Sequence, residues 1–341
     1  MPVKIKGNEP ELRHFRLSVE SIKNQTDPDW ILIMVDDFSN DEKVSEALES
    51  VKNELKEKAH IIRLDKNVGA GMARNVGIRY ADGIGAPFVV FNDSDDISHP
   101  RRLELVRKKF ENEDTNVVYL SFDVIDENDR VVSEDEICLS VREIILGHHK
   151  DVIEGEDAWI GISTKKNYTN LTSCTAVRTS LAVQEPFPMA SVSEDSHTWL
   201  RYAAHPGKFA FIDEIINHYR ICSAVESRSR GQNLDFYLKK AAVDTDGFEK
   251  AMAISRSFGR IKPGEENPIR VAFYVREALS MLYGDSDACA GELLGSAVKI
   301  SKESALRQID LLDCKPEYKD RMKTLVAQLK SESRKKTGLD G

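Results

Sequence analysis

Residues 31–37 read ILIMVDD, five apolar residues followed by two aspartates. An apolar run without polar alternation is typical of a strand buried on both faces of a parallel sheet. On either side, residues 10–24 and 42–58 have apolar side chains at helical spacing. The same patterns predict strands at 60–64, 87–91 and 117–122, and helices at 69–81 and 103–110, the last opened by Pro100. Alternating strands and helices predict a doubly wound α/β layer.

Two acidic clusters directly follow predicted strands. Asp36 and Asp37 end the first apolar run, and residues 93–96 (DSDD) follow the strand at 87–91. Ligands of such sheets bind at the carboxyl ends of the strands. Carboxylate oxygens are preferred by hard cations such as Mg²⁺ and Mn²⁺. An acidic triplet alone is equally typical of a solvated loop, so the cluster needs support from its context.

The remainder of the chain changes character twice. From 123 to 230 the pattern is less regular, with one strand predicted at 210–220. After 231 the apolar periodicity is helical, at 236–256, 268–283, 288–301 and 316–330, with a linker at 259–268. We therefore predict an α/β domain over 1–230 and a helical accessory region over 231–341. Its helices are expected to pack on that domain or on a second subunit, which would make a homo-oligomer.

Composition excludes several classes of protein. The 341 residues carry a net charge of −9, and general binding of nucleic acid needs a basic face. Five cysteines, widely spaced and without a CxxC pair, indicate neither a disulfide framework nor a zinc site. No apolar run approaches the ~20 residues of a membrane span, and no signal peptide is recognisable. We expect a cytoplasmic protein, free or peripheral to the inner face of the membrane.

Four motifs in one order resemble the family 2 glycosyltransferases. They are SVESIKNQT at 18–26, IMVDDFSND at 33–41, NVGAGMARNVGI at 67–78 and FNDSDD at 91–96. The resemblance covers residues 2–222 and implies a GT-A fold, a mixed sheet that binds a nucleotide diphosphate sugar. It makes 1–122 the nucleotide-binding half and 123–230 the acceptor half. The glycines of the third motif do not have the spacing of a GxGxxG dinucleotide fingerprint.

This resemblance implies roles on the donor side. Asp93 and Ser94 would bind the donor near its ribose, and Asp95 would bind Mn²⁺ or Mg²⁺. Asp96 would cap the helix near Pro100. Asp37 would hydrogen-bond the nucleobase, although a helix cap or turn is its alternative. Arg74 would face the diphosphate or brace the acidic loop, and an ordinary surface arginine is the remaining reading.

The chain start departs from the relatives, which begin with a complete apolar strand. Here only Met1 precedes Pro2. We expect a stunted first strand that ends near Pro2 and Lys4, both counted as donor-binding, and a partly open nucleobase pocket. The start is also expected to lack several residues of that strand.

The acceptor side is indicated by EDSHTWLR at 194–201, similar to the family's E-D-x-D-L-W-L-R. Asp195 then matches the general base of an inverting enzyme. The alternative is an acidic first turn that favours the helix dipole. The family's second aspartate is lost in this motif. Trp159 and Trp199 would stack on a sugar or, in the favoured alternative, pack in the core.

A second departure is NHYRIC at 217–222, where Cys222 replaces a family histidine. His197 and His218 are the candidates to take over its role. Three arginines could supply positive charge near the diphosphate or form a solvated face: Arg220, Arg228 and Arg230.

The predicted function is metal-dependent, inverting transfer of a sugar from a nucleotide diphosphate sugar, a UDP-sugar, to a hydroxyl of a glycan or other small-molecule acceptor. One alternative is a nucleotidyltransferase on a related fold. That class begins with a glycine-rich loop, whereas residues 1–7 contain one glycine. The other alternative is a non-catalytic protein that binds nucleotide sugars.

Overall fold

The computed structural model describes residues 1–137, 139–165, 169–222 and 234–337. The strands are β1 (Pro2–Val3), β2 (Leu32–Asp36), β3 (Ala59–Arg63), β4 (Phe88–Val90), β5 (Thr115–Ile125), β6 (Thr175–Arg178) and β7 (Lys208–Arg220). The first eight helices are α1 (Glu9–Lys23), α2 (Glu42–Leu55), α3 (Ala70–Gly83), α4 (Arg102–Phe110), α5 (Leu139–Lys150), α6 (Ala158–Thr164), α7 (Thr179–Gln184) and α8 (Glu194–Ala204). Each strand and helix predicted for residues 10–122 is present, so the α/β prediction is confirmed.

The strands form two sheet sections. β1, β2 and β3 pair in parallel in that order. The second section has the order β4-β6-β5-β7, with β6 antiparallel to both neighbours and β7 parallel to β5. The sheet is therefore mixed, as expected. β2 ends in the first acidic cluster, at Asp36, and β4 ends shortly before the second.

Local chemistry explains where the first helices begin. Asn8 caps α1 by accepting a hydrogen bond from the Glu11 amide, and a proline follows in the first turn. Asp41 caps α2 in the same way through the amides of Lys43 and Val44. Each cap fixes the residue at which its helix begins. The turn before the helix therefore stays at the carboxyl edge of the sheet.

The C-terminal region consists of α9 (Leu234–Ser257), α10 (Glu266–Tyr283), α11 (Asp287–Leu311), broken at Ser301, and α12 (Pro316–Thr337). Phe248 of α9 stacks on Phe273 of α10, with ring centroids 3.9 Å apart. Both rings belong to one core cluster with Trp159 and Trp199. The helices therefore pack on the α/β domain, and both tryptophans are core residues rather than exposed stacking platforms.

Two further expectations concern the ends of the domain. β1 has two residues, so the prediction of a stunted first strand is confirmed. The predicted boundary at 230 and the side chains of Arg228 and Arg230 lie outside the described residues. Among the helices that the structure describes, none is long and apolar enough to cross a membrane.

Candidate active site

The acidic loop after β4 is held by a buried amide. The Asn92 side chain donates to the Asp93 carbonyl and to Ser18 Oγ, both at 2.9 Å, and accepts from Ser98 Oγ at 2.7 Å. The Asp93 amide donates to Ser173 Oγ at 2.8 Å. These hydrogen bonds fix the backbone of the loop, and they do not involve the carboxylates of its aspartates.

Helix α1 carries the first sequence motif and braces the same loop. Ser18 Oγ donates to the Asp93 carbonyl at 3.1 Å. The Gln25 side chain donates to the His99 carbonyl and accepts from the Leu103 amide, both at 2.9 Å. The motif on α1 therefore acts as a support for the loop.

Arg74 of α3 joins the donor loop to helix α8. One guanidinium nitrogen, Nη2, lies 2.7 Å from Asp93 Oδ1, and the other, Nη1, lies 3.2 Å from Glu194 Oε1. Arg74 is only 6% exposed, so the surface reading is wrong and the bracing alternative is confirmed. Because the two carboxylates come from segments far apart in the chain, this contact sets the spacing between the two sides of the site.

Asp195 is the next residue on α8, and among the described residues it forms no ion pair with an arginine or a lysine. Its Oδ1 accepts from the Ser196 amide at 2.8 Å. Burial, followed by the charge of Glu194, raises the pKa of Asp195 to about 7, against a smaller opposing effect of Arg74. A carboxylate with a pKa near neutrality is suited to accept a proton at neutral pH.

Asp95 and Asp96 crowd negative charge in the loop. Burial and the charge of Asp93 raise the pKa of Asp95 to about 6. Burial raises the pKa of Asp96 still more clearly, with Asp95 and Asp93 adding to it. Asp96 accepts from the Arg220 amide at 2.8 Å and does not cap α4, which begins after Arg101, so the expected cap is wrong.

The donor set fits a hard divalent cation. Asp93 and Asp95 present carboxylate oxygens whose mutual repulsion a cation would relieve. Within the described ranges, no group of three or more His, Cys, Asp and Glu side chains is arranged to hold an ion by itself. A cation here would complete its shell with oxygens from outside the protein, as Mg²⁺ commonly does with substrate phosphates.

Arg220 supports the loop from behind. Its Nε donates to the Asp95 carbonyl at 2.9 Å and its Nη1 to the Asp126 carbonyl at 2.7 Å. Its side chain is fully buried, so the solvated-face alternative is wrong for Arg220, and its role as a positive charge near the diphosphate stays a prediction. Burial and the nearby Asp95 raise the pKa of Cys222 to about 11, which keeps this thiol neutral.

Both candidate histidines already contact carboxylates. His218 Nδ1 lies 2.5 Å from Asp123 Oδ1, and this hydrogen bond raises the pKa of His218. His197 Nε2 lies 2.8 Å from Asp246 Oδ2 on α9. These contacts do not show either histidine in the role of the lost family histidine, which therefore stays a prediction.

The nucleobase side is built from turns around β1 and β2. Asp37 is buried and accepts from the amides of Val68 and Gly69, at 2.6 and 2.9 Å. These contacts hold the loop before α3 and are neither a turn nor a cap of α2, whose cap is Asp41. The contact of Asp37 with a nucleobase stays a prediction. Lys4 follows β1, which begins at Pro2. Its Nζ donates to the Phe38 carbonyl and lies 5.7 Å from the centroid of the Phe38 ring.

Three residues that contribute to the site were not identified from the sequence. Glu194 holds Arg74, as described above. Asn75 makes a two-point contact with the Phe187 backbone, at 2.9 and 2.8 Å, and so ties α3 to the segment before α8. Burial, with the charges of the four aspartates of the site, raises the pKa of Tyr219 on β7. All three lie in or beside the quoted motifs, but a motif match does not reveal which group each side chain contacts.

The fold is that of the GT-A glycosyltransferases. A structure of S. aureus TarS 1–349 in complex with UDP-GlcNAc aligns with 97% of this chain and 90% of its own, with a TM-score of 0.60 at 15% identity. The mannosyltransferase PcManGT from Pyrobaculum calidifontis, in complex with GDP-Man and Mn²⁺, aligns with 100% of this chain and 86% of its own, with a TM-score of 0.54 at 16% identity. At these identities the likeness establishes the fold.

Sequence comparison shows which family the chain resembles. Residues 9–163 match the profile of Glycosyl transferase family 2. An uncharacterized glycosyltransferase of Methanocaldococcus jannaschii is 28% identical over 219 residues, which are 63% of this chain and 68% of the relative. The chain therefore resembles glycosyl transferase family 2 over residues 9–163, just under half of its length, and these matches support a transferase.

Proposed function

We propose that this glycosyltransferase moves a sugar from a nucleotide diphosphate sugar, a UDP-sugar, to a hydroxyl of a glycan or other small-molecule acceptor with inversion at the anomeric carbon. The observation that carries the proposal is the raised pKa of Asp195, about 7, beside an arginine that also contacts the donor-side Asp93. A base tuned to neutrality and held at a set distance from the acidic loop is what a single displacement needs.

In the proposed reaction, the acceptor oxygen attacks the anomeric carbon while Asp195 takes the hydroxyl proton. The new carbon–oxygen bond forms as the bond to the diphosphate breaks, and the nucleoside diphosphate leaves with the electron pair. Because the base and the leaving group lie on opposite sides of the carbon, the configuration inverts. Positioning by Arg74 matters here, since a proton acceptor works only within hydrogen-bond reach.

The roles on the donor side are those that the sequence resemblance implies. Pro2, Lys4 and Asp37 would contact the nucleoside. Asp93 and Ser94 would contact the ribose. Arg74 would face the diphosphate beside the acidic loop, where it contacts Asp93. Asp95, with Asp93 beside it, would hold Mn²⁺ or Mg²⁺. When bound, such an ion offsets the negative charge that gathers on the departing diphosphate.

Support for the donor class comes from the structural neighbours. TarS was solved with UDP-GlcNAc, and PcManGT with GDP-Man and Mn²⁺. Both ligands are nucleotide diphosphate sugars, and one of the two complexes includes a divalent cation. The choice of a uridine donor rests on the sequence resemblance.

The test is a screen of UDP-, GDP- and dTDP-sugars by thermal stabilisation, each with Mn²⁺ and with a chelator. Binding to the folded protein raises Tm with ligand concentration, so the true donor should stabilise only with metal. Turnover and the anomer of the product are then followed by NMR. A protein stabilised by donors but without turnover is a binding protein, and pyrophosphate release from a nucleoside triphosphate and a sugar phosphate would indicate a nucleotidyltransferase. A retained anomer would contradict the inverting mechanism.

A further inference from the structure

Helix α9 of the accessory region touches the first turn of α8, the turn that carries Asp195. The contact is made at Gly247, where a Cβ atom would lie only 2.8 Å from Cα of His197. A larger residue at this position would therefore push the two helices apart, whereas glycine lets their backbones approach closely. His197 itself closes the first turn of α8, because its amide donates to the Ser193 carbonyl at 3.1 Å.

The His197 side chain adds a directed contact between the same two helices. The residue is 2% exposed, and its Nε2 lies 2.8 Å from Oδ2 of Asp246, the residue before Gly247. Its Nδ1 accepts from Nε of Arg201 at 3.1 Å. A neutral ring with its proton on Nε2 satisfies both contacts, and burial lowers the pKa of His197, which favours that neutral form.

Arg201 extends this link to the segment that precedes α8. Its Nη2 donates to the Pro186 carbonyl at 2.7 Å. The next residue, Phe187, makes the two backbone contacts with Asn75 on α3. The contacts thus run from α9 through α8 to the helix that carries Arg74.

The turn of α9 that makes these contacts is anchored on its other side to α10. Phe248, which follows the glycine, stacks on Phe273. Asp244 is 1% exposed, and its Oδ2 lies 2.5 Å from Lys240 Nζ, which also contacts Glu277 of α10 at 3.1 Å. Because a close-packed interior has few voids to absorb a shift, a displacement at this turn must be taken up by α8.

The same turn of α9 also acts on Asp195 through charge. Burial raises the pKa of Asp195 most, followed by the charge of Glu194, and the charge of Asp244 adds to both. The surroundings of the carboxylate therefore include the accessory region as well as the two sides of the cleft.

We propose that residues 244–248 of α9 position the general base, with Asp246 and Gly247 as the positioning residues. The inference rests on the proposed function, because it needs Asp195 as the base. Gly247 sets how closely the two helices lie, and Asp246 holds α8 through His197. A base works only within hydrogen-bond reach of the acceptor hydroxyl, so a shift of this turn should slow transfer.

The main test is Gly247→Ala. Ordinary contact begins at 3.4 Å, so the two helices would have to separate by about half an ångström. Since a misplacement of about 1 Å can cost ~10²-fold in rate, we expect transfer to fall by about tenfold. The Kd for the donor should not change, because Arg74 keeps its contact with Asp93. The matched control is Gly291→Ala on α11, where a Cβ would meet no atom of the described residues within 4 Å.

A second variant, Asp246→Ala, removes only the carboxylate that His197 contacts. The Asp246 side chain is 54% exposed and exposed ion pairs contribute little, so the loss of transfer should be smaller, about threefold. Asp235→Ala on the same helix is its control, because both aspartates pair with a lysine four residues later. Transfer is measured as release of the nucleoside diphosphate, with the donor selected by the thermal screen.

Both variants are then combined with Asp195→Asn. If α9 acts through the base, Gly247→Ala should cause no further loss in this background, whereas an equal loss in both backgrounds would overturn the inference. An unchanged rate for Gly247→Ala, or an equal loss of donor affinity, would overturn it as well. If Asp195→Asn loses transfer but Gly247→Ala does not, the inference alone fails. Normal transfer by Asp195→Asn would overturn the proposed mechanism and the inference together.

Discussion

Two carboxylate pairs in this molecule share one arginine. In the loop after β4, Asp93 contacts Arg74 while Asp95 has a pKa raised to about 6. On α8, Glu194 contacts the same Arg74 while Asp195 has a pKa raised to about 7. In each pair one carboxylate is paired with the buried cation and the other is left for chemistry.

The surroundings of the two remaining carboxylates differ. Asp95 lies beside Asp93 and Asp96 in a cluster of negative charge, which favours a cation. Asp195 lies at the first turn of a helix with one acidic neighbour, and its burial favours a proton. The same type of side chain is therefore suited to a metal in one pair and to acid–base chemistry in the other.

The largest effect is expected for Asp195→Asn. General-base catalysis contributes ~10²–10⁴-fold, so transfer should fall by about that factor while donor affinity is unchanged. Kinetics with saturating donor and a donor titration separate the two. The exposed Asp213→Asn is the control. Substantial transfer by Asp195→Asn would remove the distinction between the two pairs.

The next effect concerns the other free carboxylate, through Asp95→Ala. Because even outer-shell partners of a metal contribute ~10–100-fold to affinity, we expect at least that loss of Mn²⁺-dependent donor binding, with the fold intact. Calorimetry with the donor nucleotide at several Mn²⁺ concentrations measures it, with Asp213→Ala alongside. An unchanged dependence on Mn²⁺ would show that the loop does not hold the ion.

Arg74→Lys tests the link between the pairs. An ammonium group cannot reproduce the forked contact with two carboxylates, and one charge-assisted hydrogen bond contributes ~1.5–3 kcal/mol. We expect donor affinity and transfer to fall together, by about tenfold each. The exposed Arg79→Lys on the same helix is the matched control. A loss confined to one of the two quantities would mean that the pairs are independent.

The smallest effect is a shift in pH dependence for Glu194→Gln. Burial and then the charge of Glu194 raise the pKa of Asp195, so removing that charge should lower it. The base is active when ionised, and the rising limb of the rate–pH profile should move to lower pH. Glu46→Gln, on the exposed face of α2, should leave the profile unchanged. A limb that stays or moves to higher pH would contradict the coupling.

Much of the fold was predictable from local patterns. The run at 31–37, the helix over 10–24 and the strand at 210–220 were placed within two residues of β2, α1 and β7. Periodicity and capping residues act over a few positions, so they are visible without knowledge of the rest of the chain. The position of Asp93 and Asp95 after a strand follows from the same local information.

Contacts between distant segments were not predictable in this way. Arg74 meets Asp93 and Glu194, which lie 19 and 120 positions away. The cap expected for Asp96 was wrong because a strand from the far end of the domain, bearing Arg220, competes for its oxygen.

The order of strands and helices, the acidic loop and the motif around Asp195 were properties of the chain itself, because each depends on neighbouring residues. The raised pKa of Asp195, the shared Arg74 and the apolar cavity of about 280 Å³ between β2 and β4 arose from folding. Burial and charge–charge distances exist only once remote segments are packed together, since desolvation depends on everything that surrounds a group. Which carboxylate of each pair stays free was therefore decided by packing.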